Sequence, residues 1–311
     1  MYPTPSSDLQ LINTQLLDAL PASLLRARRN ADARMLATAD WLLRRKSDGR
    51  YLAAVSECAT HAKLCPFGGI DADDWRVLPP LLARLGWKLD SLAQSMKPGR
   101  LHPLHSRNTP HVADLPLDSV REALRKLAID DGYGERHALQ LVAEPNALHY
   151  AGRDRYRRPL WLRRDAARAW QRMRNAARVD GIALDAISGF RSHAYQLGIF
   201  ARKLARGQTV EKILHVNAAP GYSEHHSGLA LDIGTRGEPP AEESFETTPA
   251  FAWLAQRAGM FGFTMSYPRD NPHGITYEPW HWCYTSRRLR RLSTEPIGVM
   301  GDRQPMAGAI D

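Results

Sequence analysis

Three short segments in the second half of this 311-residue chain gather the residue types that a hydrolytic metal site requires. The first is Ser188-Gly189-Phe190-Arg191-Ser192, followed by Gln196. The second runs from Ser223-Glu224-His225-His226 through Ser227-Gly228-Leu229-Ala230-Leu231 to Asp232. The third is Tyr277-Glu278-Pro279-Trp280-His281-Trp282. A zinc ion that cleaves bonds takes three protein ligands and keeps a fourth position for water. A carboxylate outside that set takes the water's proton, and a positive group meets the developing oxyanion. His225, Asp232 and His281 can supply the ligands, Glu278 the base and Arg191 the positive group. Zinc brings the pKa of bound water to about 7, so a hydroxide-like nucleophile exists at neutral pH. Each residue has a plainer reading alone: a surface histidine, a strand-end aspartate, an ion-paired glutamate or arginine. The weight lies in the joint pattern.

The backbone around these residues is compatible with that reading. Gly228 permits a tight turn between the loop of His225 and the strand of Asp232. Glu278 and His281 are three apart, which on a regular strand puts them on opposite faces. Pro279 lacks an N–H and favours an irregular edge that could turn both inward. His226 is expected at the rim, His273 in a surface turn, and Trp280 and Trp282 in packing beneath the site.

The three segments resemble the VanY-type D-alanyl-D-alanine carboxypeptidases, a family of zinc metallopeptidases. Its pattern is Ser-x-His-x-x-Gly-x-Ala-x-Asp, then Glu-Pro-Trp-His, preceded by a Ser-Gly-Tyr/Phe-Arg-Ser run, and all three occur here in that order over roughly residues 140–290. The resemblance implies zinc held by His225, Asp232 and His281, with Glu278 as general base. It places Arg191 at the scissile carbonyl or substrate peptide, and Ser223 and Gln196 at the substrate's end. It implies peptidoglycan peptides or muropeptides as substrates and the small α+β zinc fold shared with the hedgehog signalling domain. Two positions depart from the family's usual arginines: Ser266 before Tyr267-Pro268, and Cys283 after the last motif. An L,D-carboxypeptidase of muropeptide recycling and a noncatalytic zinc-containing binding module are the alternatives.

Strands and helices interspersed without regular βαβ repeats predict an α+β class. Helices are expected over 119–129, 164–179, 192–207 (capped by Ser192) and 248–259 (capped by Thr248). Strands are expected over 137–143, 182–187, 229–233, 263–267 and 276–284. Apolar spacing over 8–20, 22–46, 51–64 and 78–95 predicts helices there too. A proline- and histidine-rich linker at 97–116 then closes a helical N-terminal region, 1–116, of unassigned role. The carboxypeptidase domain is expected at 117–295 and a C-terminal tail at 296–311. The histidines of the linker (His102, His105, His111) read as a solvated segment.

Apolar residues at 43% suffice for a core, and 24% charged residues are ordinary for a globular protein. The net charge of +9 is carried mostly by arginine clusters, which attract anionic partners, but an arginine-rich composition that follows from high genomic GC content is the weightier reading. Nucleic-acid binding finds no support beyond that charge, and no obligate protein partner is evident. Three cysteines argue against a disulfide framework, and the spacing of Cys58 and Cys65 fits no common zinc module. No segment reads as a membrane span. The N-terminus lacks signal-peptide order, which predicts a cytoplasmic protein, or a periplasmic one if the start is misassigned.

Overall fold

The computed structural model describes residues 9–27, 30–58, 61–67, 71–89, 99–103 and 113–285. The expected tail at 296–311, most of the 97–116 linker including His105 and His111, and the arginine cluster at 287–291 lie outside these residues.

The N-terminal region is not helical. It forms strands β1 (Gln10–Asn13), β2 (Leu17–Pro21), β3 (Trp41–Arg45), β4 (Tyr51–Glu57), β5 (Ala62–Pro66), β6 (Trp87–Leu89) and β7 (Gly99–Pro103). Among the described residues there, α1 (Asn30–Leu36) and α2 (Ala72–Arg84) are the α-helices. The helical expectation failed because these strands are covered on both faces, which hides the alternation of a half-buried strand. Leu17, Ala19, Leu43, Ala53 and Val55 pack with Leu78, Leu81 and Leu82 of α2. Leu11 and Leu20 bury on the opposite face with Leu148 and Trp161. Leu16, which fits a helical stripe with Leu9, Ile12 and Leu20, is instead exposed between β1 and β2.

The chain continues through α3 (Asp118–Lys126), α4 (Tyr133–Arg136), β8 (Ala147–Arg153), β9 (Pro159–Leu162), α5 (Arg164–Val179), β10 (Asp185–Ser188) and α6 (His193–Leu204). It ends with α7 (Val210–Leu214), β11 (Ala230–Gly234), α8 (Pro249–Arg257), β12 (Phe263–Met265) and β13 (His281–Tyr284). The α+β class is as expected. The expected strand at 137–143 is absent, and the last strand begins at His281 rather than at 276. Helix starts follow their capping residues: Ser192 accepts from the N–H of Tyr195 and Thr248 from that of Phe251.

Two sheets result. A nine-stranded sheet has the order β6-β7-β5-β4-β3-β2-β1-β8-β9, and a four-stranded sheet has β10-β11-β13-β12. β1 pairs antiparallel with β8, Leu11 opposite Leu148. The ladder therefore crosses the boundary expected at 116/117, and residues 147–162 complete the N-terminal sheet. Helix α5 ties the two sheets together. Its Ala166, Ala169, Trp170, Met173 and Ala177 share a core with Ala151, Leu160 and Leu162 of the large sheet and Leu231, Ile233 and Trp282 of the small one. No helix among the described residues is long and apolar enough to cross a membrane.

A buried ionic knot fastens the N-terminal strands to α6. Glu144, 3% exposed, accepts from Lys46 Nζ at 2.5 Å, Asn13 Nδ2 at 2.9 Å and the backbone N–H of His193 at 2.7 Å. Lys46 also donates to Thr14 O. Burial alone would raise the Glu144 carboxyl, but Lys46 and His193 hold it below its ordinary value of 4.5. A carboxyl lowered in the fold stabilises fully above that value and loses its contribution as pH falls through the folded pKa.

Removing one partner of such a pair leaves a buried charge uncompensated, at a cost of about 3–5 kcal/mol. Lys46→Met is expected to lower the urea-unfolding free energy by that order at pH 7, and Lys46→Met/Glu144→Gln to recover part of it. The difference between wild type and Lys46→Met should shrink as the pH is taken below 4.5. Equal stability of Lys46→Met and wild type at neutral pH would remove the knot from the account of the fold.

Candidate metal centre

The small sheet brings the expected ligands together by register. Asp232 on β11 stands directly opposite His281 on β13 and opposite Ser188 on β10. Directly opposed residues point to the same face. His225 reaches them from the single-turn 3-10 helix Glu224–Ser227, which ends at Gly228 with φ +70°. A Cβ at Gly228 would lie 2.5 Å from Leu148 Cδ2, so this turn excludes larger residues.

His225 Nε2 lies 3.2 Å and His281 Nδ1 3.1 Å from Asp232 Oδ1. All three residues are buried, and their candidate donor atoms fall within 4.8 Å of one another. Donors on a tetrahedral ion at bond lengths of about 2.0–2.1 Å stand roughly 3.3 Å apart. Hydrogen bonding gives a second test of fit. His225 Nδ1 lies 2.8 Å from Gly189 O, and a carbonyl can only accept, so Nδ1 carries the proton. Nε2 then turns its lone pair toward a carboxylate oxygen, a pairing that a cation between them resolves. Backbone approach at Gly189 is what makes this bond possible, because a Cβ there would meet Leu160 Cδ1 at 2.7 Å.

Glu224 is a candidate site residue the sequence reading missed. His281 Nε2 lies 2.9 Å from its Oε2, which leaves Nδ1 for a metal and gives the carboxylate–histidine arrangement common behind metal ligands. Its only signal in the sequence was its place immediately before His225. Both departures from the family pattern converge on this carboxylate. Ser266 Oγ donates to Glu224 Oε2 at 2.6 Å, and burial beside Glu224 keeps the Cys283 thiol protonated, well above its usual range.

The electrostatics follow from the crowding of acids. Burial alone would raise Asp232, but the His225 and His281 rings pull it far below the carboxylate range. Burial lowers the His281 imidazole, yet hydrogen bonds to Asp232 and Glu224 raise it to about 10, so these carboxylates call for positive charge. Burial pushes Glu278 up to about 7.

Glu278 Oε2 lies 3.8 Å from His281 Nδ1. The spacing difficulty disappears because residues 278–280 form a turn before β13, in which Glu278 O accepts from the N–H of His281 at 3.1 Å. Arg191 comes from the link between β10 and α6, with its Nη2 3.6 Å from Asp232 Oδ2. Gln196 is 1% exposed. Its Oε1 lies 3.5 Å from Arg191 Nη1, and its amide N donates to Ala218 O. The structure thus places Gln196 behind Arg191. Ser223 is buried at the start of the 224–227 turn.

His226 is not at the rim. It is fully buried; Nδ1 donates to Arg191 O at 2.6 Å and Nε2 accepts from the N–H of Gly221. It pins the backbone that carries Arg191. His273 and His137 exchange ring-to-carbonyl bonds of 3.0 Å outside the donor set. Cys58, Cys65 and Cys283 are free.

Fold and donors define a mixed helix-and-sheet protein with a buried two-histidine, one-aspartate group placed to hold a metal ion. Residues 159–287 match the VanY family, D-alanyl-D-alanine carboxypeptidase. YodJ of Bacillus subtilis (strain 168) is 36% identical over 137 residues, which cover 42% of this chain and 49% of that protein. The bifunctional D-Ala-D-Ala dipeptidase and D-Ala-D-Ala carboxypeptidase VanXYC of Enterococcus gallinarum is 30% identical over 132 residues, covering 40% of this chain and 67% of its own. Among solved structures, the LD-carboxypeptidase LdcB is 33% identical, covering 42% of this chain and 63% of that one, at a TM-score of 0.40. The chain belongs to the VanY family, and it spans about half the length of YodJ.

Zinc titration should give one ion per chain, lost in His225→Ala and His281→Ala. Residues that orient a metal ligand typically contribute about 10–100-fold to affinity. Glu224→Gln is therefore expected to weaken zinc binding by that range in a chelator-competition assay. Undiminished affinity would show that Glu224 does not support His281.

Proposed function

We propose that this chain is a zinc-dependent D,D-carboxypeptidase that removes the terminal residue of D-Ala-containing peptidoglycan peptides. The observation that carries the reading is Glu278. It is a largely buried carboxylate beside the donor set, and among the described residues no hydrogen bond or second ion pair occupies it. A carboxylate raised in this way next to metal donors suits a proton-transfer role. Curated relatives in Enterococcus faecium and Enterococcus faecalis carry the name D-alanyl-D-alanine carboxypeptidase, which supports the substrate class.

His225, Asp232 and His281 would hold the zinc, which when bound activates water and polarises a carbonyl. Glu278 takes the proton of the attacking water and returns one to the leaving amine. Arg191, fixed by Gln196 from behind and by His226 through its carbonyl, supplies positive charge where the carbonyl oxygen gains negative charge. Ser223 is our candidate for a contact to the substrate's end, and Gln196 acts through Arg191.

Glu278→Gln retains size but cannot accept a proton, so kcat on a peptide ending in D-Ala-D-Ala should fall about 10²–10⁴-fold with zinc content unchanged. The base must be ionised. Wild-type kcat/KM should therefore decline as pH falls through the Glu278 pKa, which burial sets at about 7 and a nearby cation lowers. The residual activity of Glu278→Gln should lack that acidic limb. Mass spectrometry of tetra- and pentapeptide products, with and without chelator, identifies the bond cleaved. A near-normal kcat for Glu278→Gln would reject the mechanism, and cleavage of tetrapeptides alone would assign an L,D rather than a D,D activity.

A further inference from the structure

The family match begins at residue 159, yet the cavity that reaches Asp232 of the donor set and Arg191 beside it is walled largely by earlier residues. A cavity of about 1320 Å³ extends from Asp232, Ser188 and Arg191 to the large sheet. Its floor is the sheet face turned away from α2. On β2, Asp18 and Leu20 face the cavity while Leu17 and Ala19 face α2, and on β3 Leu42 and Arg44 face it while Leu43 does not. Such a volume exceeds the roughly 300–1,000 Å³ that encloses a drug-sized ligand. A single terminal D-Ala needs far less.

The walls carry an excess of positive charge. Asp18 is paired with Arg44, Asp48 with Arg45 and Asp154 with Arg158, and Asp232 belongs to the donor set. Among the described residues, no carboxylate pairs with Arg26, Arg153, Arg157 or Arg202, all of which line the cavity. Against them stands only Asp32. Arg153 is anchored by the carbonyls of Arg157 and Leu24, which fixes its guanidinium without neutralising it. Arg202 shares one face of α6 with Tyr195 and Gly198, and a Cβ at Gly198 would lie 3.2 Å from its Nη1. Tyr51, Tyr156 and Tyr195 are 37%, 51% and 49% exposed at the same cavity. Exposed rings beside uncompensated arginines make a surface for an anionic, partly apolar ligand.

We infer that the N-terminal sheet and the Arg153–Arg158 turn form an extended subsite that binds the upstream part of an acidic peptide, its carboxylates meeting Arg26, Arg153, Arg157 and Arg202. This rests on the peptidase reading for the identity of the scissile end. The leaving residue sits at the metal donors, and the chain before it runs along the sheet face.

The test uses the zinc-loaded full chain and two synthetic peptides ending in D-Ala-D-Ala, one with two glutamates upstream and one with glutamines there. Wild type should favour the glutamate peptide, and less so as salt is raised. Exposed pairs contribute modestly one by one, but reversing two charges turns attraction into repulsion. Arg157→Glu/Arg202→Glu is expected to lower the glutamate-to-glutamine ratio of kcat/KM at least tenfold, and Arg26→Glu to lower it to a smaller extent. Fluorescence anisotropy with labelled peptides and the Glu278→Gln protein gives the same ratio from Kd without hydrolysis. If wild type cleaves neither peptide, the peptidase reading fails, and the anisotropy ratio still decides the subsite. No preference in wild type, or a ratio unmoved in the reversed variants with unchanged melting temperature, overturns the inference.

Discussion

One buried carboxylate governs how the two halves of the molecule meet. Glu144 cannot remain ionised in the interior without donors, and it draws them from three places: Lys46 at the end of β3, Asn13 on β1 and the first N–H of α6. A buried charge unmet by partners would cost several kcal/mol, so these segments are held in fixed relation. The start of α6 follows Arg191 and precedes Gln196. The cationic side of the metal centre therefore takes its position from strands at the far end of the chain.

The other side of the centre is organised by backbone rather than charge. Gly189 allows a carbonyl close enough to orient His225, and Gly228 turns the chain where a side chain would strike Leu148. β-register sets Asp232 opposite His281. Glu224 then completes a second layer in which Ser266 and Cys283 stand where relatives of the VanY type often use arginine. Neutral donors there leave Glu224 more of its charge to spend on His281, since neither brings a competing cation.

The candidate donors His225, Asp232 and His281 and the neighbouring Glu278 were readable in the sequence because residue type and spacing mark them together, and so was α5, whose apolar stripe faces one core. The N-terminal sheet was hidden by its double burial, which replaces alternation with short unbroken apolar stretches such as Trp41–Leu43 and Tyr51–Val55. Glu224 and Glu144 were not found, because a carboxylate's partners across the chain leave no periodic trace. His226 was expected at the rim, yet its two nitrogens are both bonded to backbone. Pro279 correctly marked the irregularity that lets Glu278 and His281 share a site.

The pairing of β1 with β8 also sets an order of assembly. The ladders from β1 through β5 join strands that are neighbours in sequence and can form as hairpins early. The free edge of β1 must wait for β8, which is separated from it by the whole N-terminal sheet, α3 and α4. Closing so long a loop is slow. During synthesis or refolding, the unpaired edge of β1 offers backbone donors and acceptors to a second chain. The interval before β8 pairs is thus the stage of folding most exposed to aggregation, and dilution favours the native chain over its multimers.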